Sequence, residues 1–470
     1  MASLNTRILK VTGMFGGLQV TNIICSVVRS KLVAIWIGAT GVGLFGVFNS
    51  ALEMINSLTQ LGIRQSAVRD LASASKDDVP QLVCVIRRWS LALGCIGTFL
   101  TLICSPWLSE LSFGTRDYWW GFALLSATVL LSAVNNGEGA VFQGLKSFRK
   151  LAVCSMLGAV GGLAVSIPMF YFWRIDSIVP SIIAYALMTW LAMGYYRERV
   201  PLPDTAITLS QTIKTGRRFL LLGIYMTVTA VVTNAISYAF MAYLNNAGDL
   251  ATTGYYNAGF TIVNRYVGLV FTAIAMEYFP RLASTIGSRQ RTGVFVSNQI
   301  YIALTIIVPV SLVFITASEL VVRVLYSSDF VVIIPFIVWA TLGTVFRAVS
   351  WCMAFVILAR GDGRTFLWTE LSSGGMSIVL NIVFFNAWGY AGLGYAYILW
   401  YGIYTAIVGY VYFRRYRLKL ERRMPLYVAY SLLLPSAGAF AALHFAPIYA
   451  LPFALVACGV SFVMLRRNLL

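Results

Sequence analysis

Residues 294–317, VFVSNQIYIALTIIVPVSLVFITA, contain no charged side chain and are mostly large and apolar. About 20 apolar residues in a helix cross the hydrocarbon core of a bilayer, so this stretch predicts a transmembrane helix. The same pattern recurs along the chain and predicts about fourteen transmembrane helices. They cover residues 11–36, 43–66, 89–105, 119–142, 151–173, 177–196, 218–244, 254–279, 294–317, 330–358, 365–386, 390–413, 425–445 and 449–465.

The composition supports this interpretation. The 470-residue chain is 59% hydrophobic and only 11% charged. A soluble domain carries roughly 25% charged residues, and a disordered chain has low hydrophobicity, so both classes are excluded. The apolar runs are long and unbroken rather than alternating, which argues against an outer-membrane barrel. The sequence therefore predicts an all-α polytopic membrane protein.

The positive charges predict the orientation. Lys and Arg outnumber Asp and Glu by 35 to 17, which gives a net charge of +18. With the N-terminus in the cytoplasm, 28 basic residues fall at cytoplasmic ends and loops, against only Arg116, Arg174 and Arg323 outside. Cytoplasmic loops are enriched in Lys and Arg, so both termini are predicted to be cytoplasmic. The same rule explains the net charge without a nucleic-acid partner.

Motifs for catalysis or metal binding are absent from the sequence. The seven cysteines lie in or beside apolar runs without metal-binding spacing, and His444 is the single histidine. No P-loop, zinc-protease or nucleophile-elbow motif is present. We therefore predict a protein that is not an enzyme and has no metal site or cofactor.

The predicted spans divide into two halves of the same orientation. Spans 1–6 and 7–12 would form two six-helix lobes around a central cavity, and spans 13 and 14 would follow them. The corresponding boundaries are 1–196 for the N-terminal lobe, 197–217 for a basic cytoplasmic linker, 218–423 for the C-terminal lobe and 424–470 for the last two spans. Transporters are often built from two related bundles of this kind.

A weak internal repeat accompanies this division. Residues 43–73 can be laid over 254–284 without a gap, and Gly43 then falls on Gly254. The turns Gln143–Lys146 after span 4 and 360–364 after span 10 also occupy equivalent positions.

Polar side chains follow one helical face of spans 1, 2, 7 and 8, because they are spaced three and four residues apart. A charge at the bilayer centre costs roughly 2.5–3.5 kcal/mol on insertion scales, so it usually indicates function or pairing. The predicted substrate-binding residues are Asn22, Arg29, Lys31, Asn56, Gln60, Asn234, Asn264, Arg265 and Arg347, and the predicted coupling or gating residues are Glu53 and Glu138. The alternative is a structural ion pair among Arg29, Glu53 and Arg265, with Lys31 reaching the outer interface.

Several short motifs, in order along the chain, resemble those of Wzx-type polysaccharide flippases. They are Lys31–Gly46, Leu61–Arg64 running into Ala67–Arg69, Phe142–Lys146, Tyr278–Leu282 and Gly389–Ala396. Together with fourteen spans they resemble the multidrug/oligosaccharidyl-lipid/polysaccharide (MOP) exporter superfamily. This resemblance implies two lobes around a cavity that opens alternately to either side of the bacterial inner membrane.

The resemblance also implies a substrate. It would be an undecaprenyl-diphosphate-linked oligosaccharide, such as an O-antigen repeat unit, moved from the cytoplasmic to the periplasmic leaflet. A polysaccharide polymerase and a chain-length regulator would be protein partners, and the lipid tail would stay in the membrane lipid.

The predicted polar residues suit this substrate. Arg29, Arg265 and Arg347 can hold a diphosphate by charge-assisted hydrogen bonds, and the amides can bond sugar hydroxyls. We expect Arg29, Glu53 and Arg265 to converge in the central cavity. Two alternatives remain: a cation-coupled multidrug exporter of the same superfamily, which needs cavity carboxylates, and a membrane glycan polymerase or glycosyltransferase, which usually needs a large periplasmic loop.

Overall fold

The structure is a computed structural model that describes residues 21–60, 63–75, 77–197, 208–445 and 451–469. Residues 1–20, which include the predicted cytoplasmic Arg7 and Lys10, and residues 198–207 of the predicted linker at 197–217 lie outside these ranges. Within them every regular element is a helix, and no strand occurs.

The described residues of the first unit form eight helices and the beginning of a ninth. The described residues 21–36 are helical (α1). They are followed by α2 (Ala39–Gln60), α3 (Ile63–Ser73), α4 (Val79–Phe113), α5 (Trp119–Gly144), α6 (Phe148–Trp173), α7 (Ile178–Tyr195), α8 (Leu209–Ala247) and α9 (Leu250–Thr261).

The second unit continues from α9 through a π-helical segment, Ile262–Val267. After it come α10 (Leu269–Thr285), α11 (Arg289–Thr316), the short α12 (Ser318–Leu325), α13 (Ile334–Ala359), α14 (Gly363–Tyr410), α15 (Met424–His444) and α16 (Leu451–Leu469). By their contacts the residues divide at Gly254 into these two compact units.

Six helical stretches of the described chain are long and apolar enough to cross a membrane. Two of these stretches each contain a pair of helices: α6 runs into α7 through a 3-10 turn at Arg174–Ser177, and α14 is interrupted at Gly389. The all-α, multi-pass class is therefore confirmed, whereas the count of fourteen crossings, the cytoplasmic termini and the two-lobe boundaries stay predictions.

Some boundaries differ from those predicted. Within the predicted span 43–66 the structure describes α2 up to Gln60 and α3 from Ile63, and residues 61 and 62 lie outside the described ranges. The connection between α1 and α2 is only two residues long and contains Gly38, whose φ of +87° favours glycine because a Cβ is strained there. By contrast, α14 is interrupted at Gly389, where φ is 59°, which lies between the spans predicted at 365–386 and 390–413.

The two turns predicted to be equivalent share the same hydrogen bonds. After α5, the Lys146 and Ser147 amides donate to the carbonyls of Gln143 and Phe142. After α13, the Gly361 and Asp362 amides donate to Leu358 and Ile357 in the same pattern. Lys146 and Gly361 both have positive φ, so both helices end in the left-handed cap that closes many helices.

Asp362 begins α14 as its N-cap. One carboxylate oxygen accepts from the Thr365 amide at 3.2 Å, and the other accepts from the Tyr416 hydroxyl at 2.9 Å and pairs with Arg415 at 2.9 Å. Burial alone would raise the pKa of Asp362, but the hydrogen bonds from Thr365 and Tyr416 and the Arg415 charge together lower it below its ordinary value. The carboxylate is therefore stabilised in its charged form.

This arrangement predicts a pH-dependent contribution to stability. The Asp362 charge should stabilise the fold above its ordinary pKa of about 4, and the contribution should be lost as the pH falls through the lowered folded-state pKa. Asp362→Asn should remove this dependence and keep the cap, whereas Asp362→Ala should also lose about 1 kcal/mol of stability. Thermal unfolding in detergent as a function of pH measures both effects, and an unchanged profile in Asp362→Asn would contradict the assignment.

Candidate functional site

In the second unit, the functional candidates gather at the π-helical segment Ile262–Val267. A π-helical turn holds one more residue than an α-helical turn, and such turns are frequent at functional sites. Asn264 and Arg265 lie on this segment, and the Arg265 side chain is exposed. Gly268 follows the segment, where a Cβ would overlap the Asn264 carbonyl oxygen. The glycine therefore permits the close approach that the irregular turn requires.

Arg347 on α13 fixes this turn in place. Its Nη1 donates to Asn264 Oδ1 at 2.8 Å and to the Tyr397 hydroxyl at 3.1 Å. Its guanidinium carbon lies 4.9 Å from the Phe271 ring centroid and 5.7 Å from that of Tyr401. Cation–π contacts and charged hydrogen bonds compensate for a cation inside a membrane protein. Arg347 therefore holds Asn264 from within the second unit.

Asn264 keeps one unused group. Its Oδ1 accepts from Arg347 and also from the Tyr397 hydroxyl at 3.3 Å. Its Nδ2 is buried and has no hydrogen-bond partner among the described residues. The site thus combines an exposed guanidinium at Arg265 with an amide donor at the adjacent residue.

In the first unit, Arg29 lies between two aromatic rings. Its guanidinium carbon is 5.3 Å from the Phe45 centroid and 5.2 Å from that of Tyr185. Arg29 and the nearby Lys31 are both half-buried. Asn22 lies earlier on the same helix and is also half-buried. Its Oδ1 has no hydrogen-bond partner among the described residues.

A chain of directional hydrogen bonds joins α2 and α5. Arg64 Nη1 donates to Asn136 Oδ1 at 3.2 Å, and Asn136 Nδ2 donates to Gln60 Oε1 at 2.6 Å. Gln60 Nε2 then donates to Asn56 Oδ1 at 3.0 Å. Each hydrogen bond polarises the next amide, so the positive charge of Arg64 makes the Asn56 amide a stronger hydrogen-bond donor.

The two predicted carboxylates lie in different surroundings. The Glu53 side chain is exposed, and its main-chain carbonyl accepts from Asn234 Nδ2 at 3.3 Å. The Glu138 carboxylate is buried and bonds Arg87 at 2.7 and 3.0 Å and Arg197 at 3.0 Å. The Glu138 carboxylate on α5 is thus linked to α4 through Arg87.

The structure therefore brings together Asn56 with Gln60, Asn234 with Glu53, and Asn264 with Arg347. The meeting of Arg29, Glu53 and Arg265 in one cavity stays a prediction. Sequence reasoning missed Arg64, Asn136 and Tyr185. Arg64 was visible in the motif Leu61–Arg64, but nothing in the sequence indicated that its partner is Asn136, 72 positions away.

The fold is similar to those of several membrane transporters of known structure. It is similar to the lipid II flippase MurJ in an inward closed conformation, with a TM-score of 0.73 and 12% identity over 98% of this chain and 99% of that chain. It is also similar to an inward-facing multidrug resistance MATE family transporter of the MOP superfamily, with a TM-score of 0.68 and 14% identity over 88% and 95%. A MOP superfamily transporter from Pyrococcus furiosus matches with a TM-score of 0.59 and 16% identity over 90% and 96%.

The fold is thus that of MOP superfamily transporters. Residues 33–335 match the family model described as polysaccharide biosynthesis protein, and this chain belongs to that family. The predicted relationship is thus confirmed for the fold, which is that of MOP superfamily transporters, and for membership of a polysaccharide biosynthesis family. Among curated proteins, none matches the sequence significantly.

Proposed function

We propose that this chain is a flippase for undecaprenyl-diphosphate-linked oligosaccharides. It would move O-antigen or similar repeat units from the cytoplasmic to the periplasmic leaflet of the bacterial inner membrane by alternating access. Membership of the polysaccharide biosynthesis family supports a glycan substrate. The observation that carries the proposal is the exposed Arg265 on a π-helical turn that Arg347 holds through Asn264.

The chemistry of this turn suits a diphosphate. A guanidinium presents several N–H donors in a planar fork that matches two phosphate oxygens. Arg265 would bind the diphosphate, and the unused Asn264 amide would add a donor beside it. Arg29, placed between the rings of Phe45 and Tyr185, would supply a second cation from the first unit.

The remaining predicted residues would contact the glycan or couple transport to an energy source. The lipid tail would remain in the membrane, and the amides at Asn22, Asn56, Gln60 and Asn234 would face sugar hydroxyls. A polysaccharide polymerase and a chain-length regulator would use the translocated product. Glu53, the exposed carboxylate on α2, would be the coupling or gating group.

Reconstitution tests the proposal. Lipid-linked oligosaccharide, extracted from cells in which this gene is deleted, is placed in liposomes with the purified protein. The protein should accelerate exposure of the inner-leaflet glycan to a membrane-impermeant glycosidase. No acceleration over protein-free liposomes would contradict the proposal.

The second candidate function is cation-coupled multidrug export, because MATE transporters share the fold. Such a protein needs a carboxylate that can bind a cationic drug. Glu138 is already bound by two guanidiniums, which leaves Glu53 as the exposed carboxylate among the predicted residues. Efflux of a cationic dye from the same liposomes, without glycan translocation, would favour this alternative.

The charge asymmetry predicts the membrane topology. Single cysteines introduced into the linker 197–217 of a cysteine-free variant should be labelled only from the cytoplasm, because the linker belongs to the 28 inside basic positions. Cysteines in 106–117 and 245–253 should be labelled from the periplasm and serve as the matched controls. Periplasmic labelling of the linker would refute the predicted count of spans.

A further inference from the structure

The first unit contains a polar pocket. Its volume is about 350 Å³, and α2, α5, α6 and α7 all contribute to its wall. Amide and hydroxyl groups dominate this wall, including those of Asn49, Asn56, Ser132, Asn135, Ser155 and Thr189. Ligand pockets in proteins begin at about 300 Å³, so the pocket can hold a small ligand.

Two buried polar atoms in this wall have no partner. Thr128 is only 5% exposed, and its hydroxyl makes no hydrogen bond within the described protein. Asn135 donates through Nδ2 to the Ala186 carbonyl at 3.1 Å, while its buried Oδ1 accepts nothing. Leaving such groups unsatisfied costs about 1–3 kcal/mol each, so a pocket ligand that hydrogen-bonds to them would gain this free energy.

The pocket also has a prepared donor. Asn56 lines it, and the Asn56 Oδ1 already accepts from Gln60 at the end of the chain that starts at Arg64. The group that Asn56 can still offer is its amide NH₂. The wall therefore combines a donor, an acceptor at Asn135 and a hydroxyl that can act as either.

The charges of the wall favour a neutral ligand. Glu53 and Arg64 are its two charged residues, and their charges cancel. No cluster of three or more His, Cys, Asp or Glu side chains that could hold a metal occurs in the part of the chain that the structure describes. A neutral molecule with several hydroxyls satisfies donors and acceptors together without bringing an unpaired charge.

Tyr185 connects the pocket to the proposed phosphate site. It lines the pocket, and the Arg29 guanidinium lies 5.2 Å from its ring centroid. In a diphosphate-linked glycan the first sugar is bonded directly to the diphosphate. A sugar site must therefore adjoin a phosphate site, as this pocket adjoins Arg29.

From these observations we infer that the pocket is a subsite for one sugar ring of the lipid-linked glycan, completed by Thr128, Asn135 and Asn56. This inference rests on the proposed flippase function. The sugar hydroxyls would satisfy the three side chains, and the apolar face of the ring would contact Tyr185.

Binding to the full chain in nanodiscs tests the inference. The two probes are undecaprenyl diphosphate and the lipid-linked oligosaccharide extracted from the deletion strain. Thr128→Val keeps the shape and removes a hydroxyl that bonds nothing in the protein, so folding should not suffer. This substitution should lower the affinity for the lipid-linked oligosaccharide about fivefold to tenfold and leave the affinity for undecaprenyl diphosphate unchanged.

A second variant and a control complete the design. Ser155→Leu should fill the pocket and reduce the affinity for the oligosaccharide probe to that for undecaprenyl diphosphate. Thr341→Val removes a buried, equally unpartnered hydroxyl in the second unit and should change neither affinity.

The outcomes distinguish failure of the sugar subsite from failure of the proposed flippase function. If the wild type binds both probes and the pocket variants bind the oligosaccharide as the wild type does, the subsite is wrong and the flippase proposal stands. If Thr128→Val changes only the sodium or pH dependence of transport, the pocket is a cation site and the sugar assignment is overturned. If the wild type binds neither probe, the proposed function fails and the subsite with it.

Discussion

Replacing Arg265 by alanine is expected to abolish glycan export while the protein still inserts into the membrane. Arg265 is the exposed cation of the π-helical turn, and charge-assisted hydrogen bonds to phosphate are stronger than neutral ones. The loss of about 1.5–3 kcal/mol corresponds to roughly 10-fold to 150-fold weaker binding of undecaprenyl diphosphate. Complementation of a deletion strain and binding in nanodiscs measure the two effects.

Matched substitutions make this prediction specific. Arg265→Lys should restore export only in part, because an ammonium lacks the planar fork that holds two phosphate oxygens. Arg29→Ala should have an effect similar to that of Arg265→Ala. Arg323→Ala removes an exposed arginine that pairs with Glu319 one turn away, and it should leave export unchanged. Full activity of both alanine variants at Arg29 and Arg265 would refute the diphosphate role.

The helical class was predictable because it depends on local composition. A run such as 294–317 has no stable alternative in a bilayer, and the structure places nearly all of it in α11 (Arg289–Thr316). Exact helix ends were less predictable. α4 extends from Val79 to Phe113, well beyond the predicted 89–105. Its two ends contain polar and charged residues, and a hydropathy pattern does not assign such residues to a transmembrane helix.

The residues of the candidate site were only partly predictable. Helical periodicity indicated Asn264 and Asn56, since residues on one face of a helix are read from spacing alone, and Arg265 was noted as the charge beside that face. It could not identify the π-helical turn, because one extra residue in a turn leaves no hydropathy signal. It also missed the aromatic surroundings of Arg347, since Phe271 and Tyr401 come from helices far apart in sequence.

Two glycines at equivalent positions of the repeat alignment contact each other, which the alignment did not predict. Gly43 on α2 and Gly254 on α9 were aligned as equivalent positions, and in the first unit they pack against each other. A Cβ on Gly43 would overlap the carbonyl oxygen of Leu250, and a Cβ on Gly254 would overlap that of Ala39. Each glycine thus meets the backbone four residues before the other, so the contact is reciprocal.

This reciprocal contact predicts a large loss of stability from very small substitutions. Gly43→Ala or Gly254→Ala should lower the stability of the protein by about 1–3 kcal/mol, because a backbone carbonyl cannot move aside as a flexible side chain can. In an unhindered helix, alanine is instead more favourable than glycine by about 0.8–1 kcal/mol. Gly194→Ala on α7, where nothing lies within 4 Å of the added Cβ, is therefore the matched control and should not destabilise.

The double variant distinguishes a shared contact from two separate ones. Both alanines would push α2 and α9 apart at the same crossing, so Gly43→Ala combined with Gly254→Ala should cost less than the sum of the single effects. Thermal unfolding in detergent and glycan export in the deletion strain should both show this non-additivity. Two single variants that unfold like Gly194→Ala would mean that the helices do not meet at these glycines.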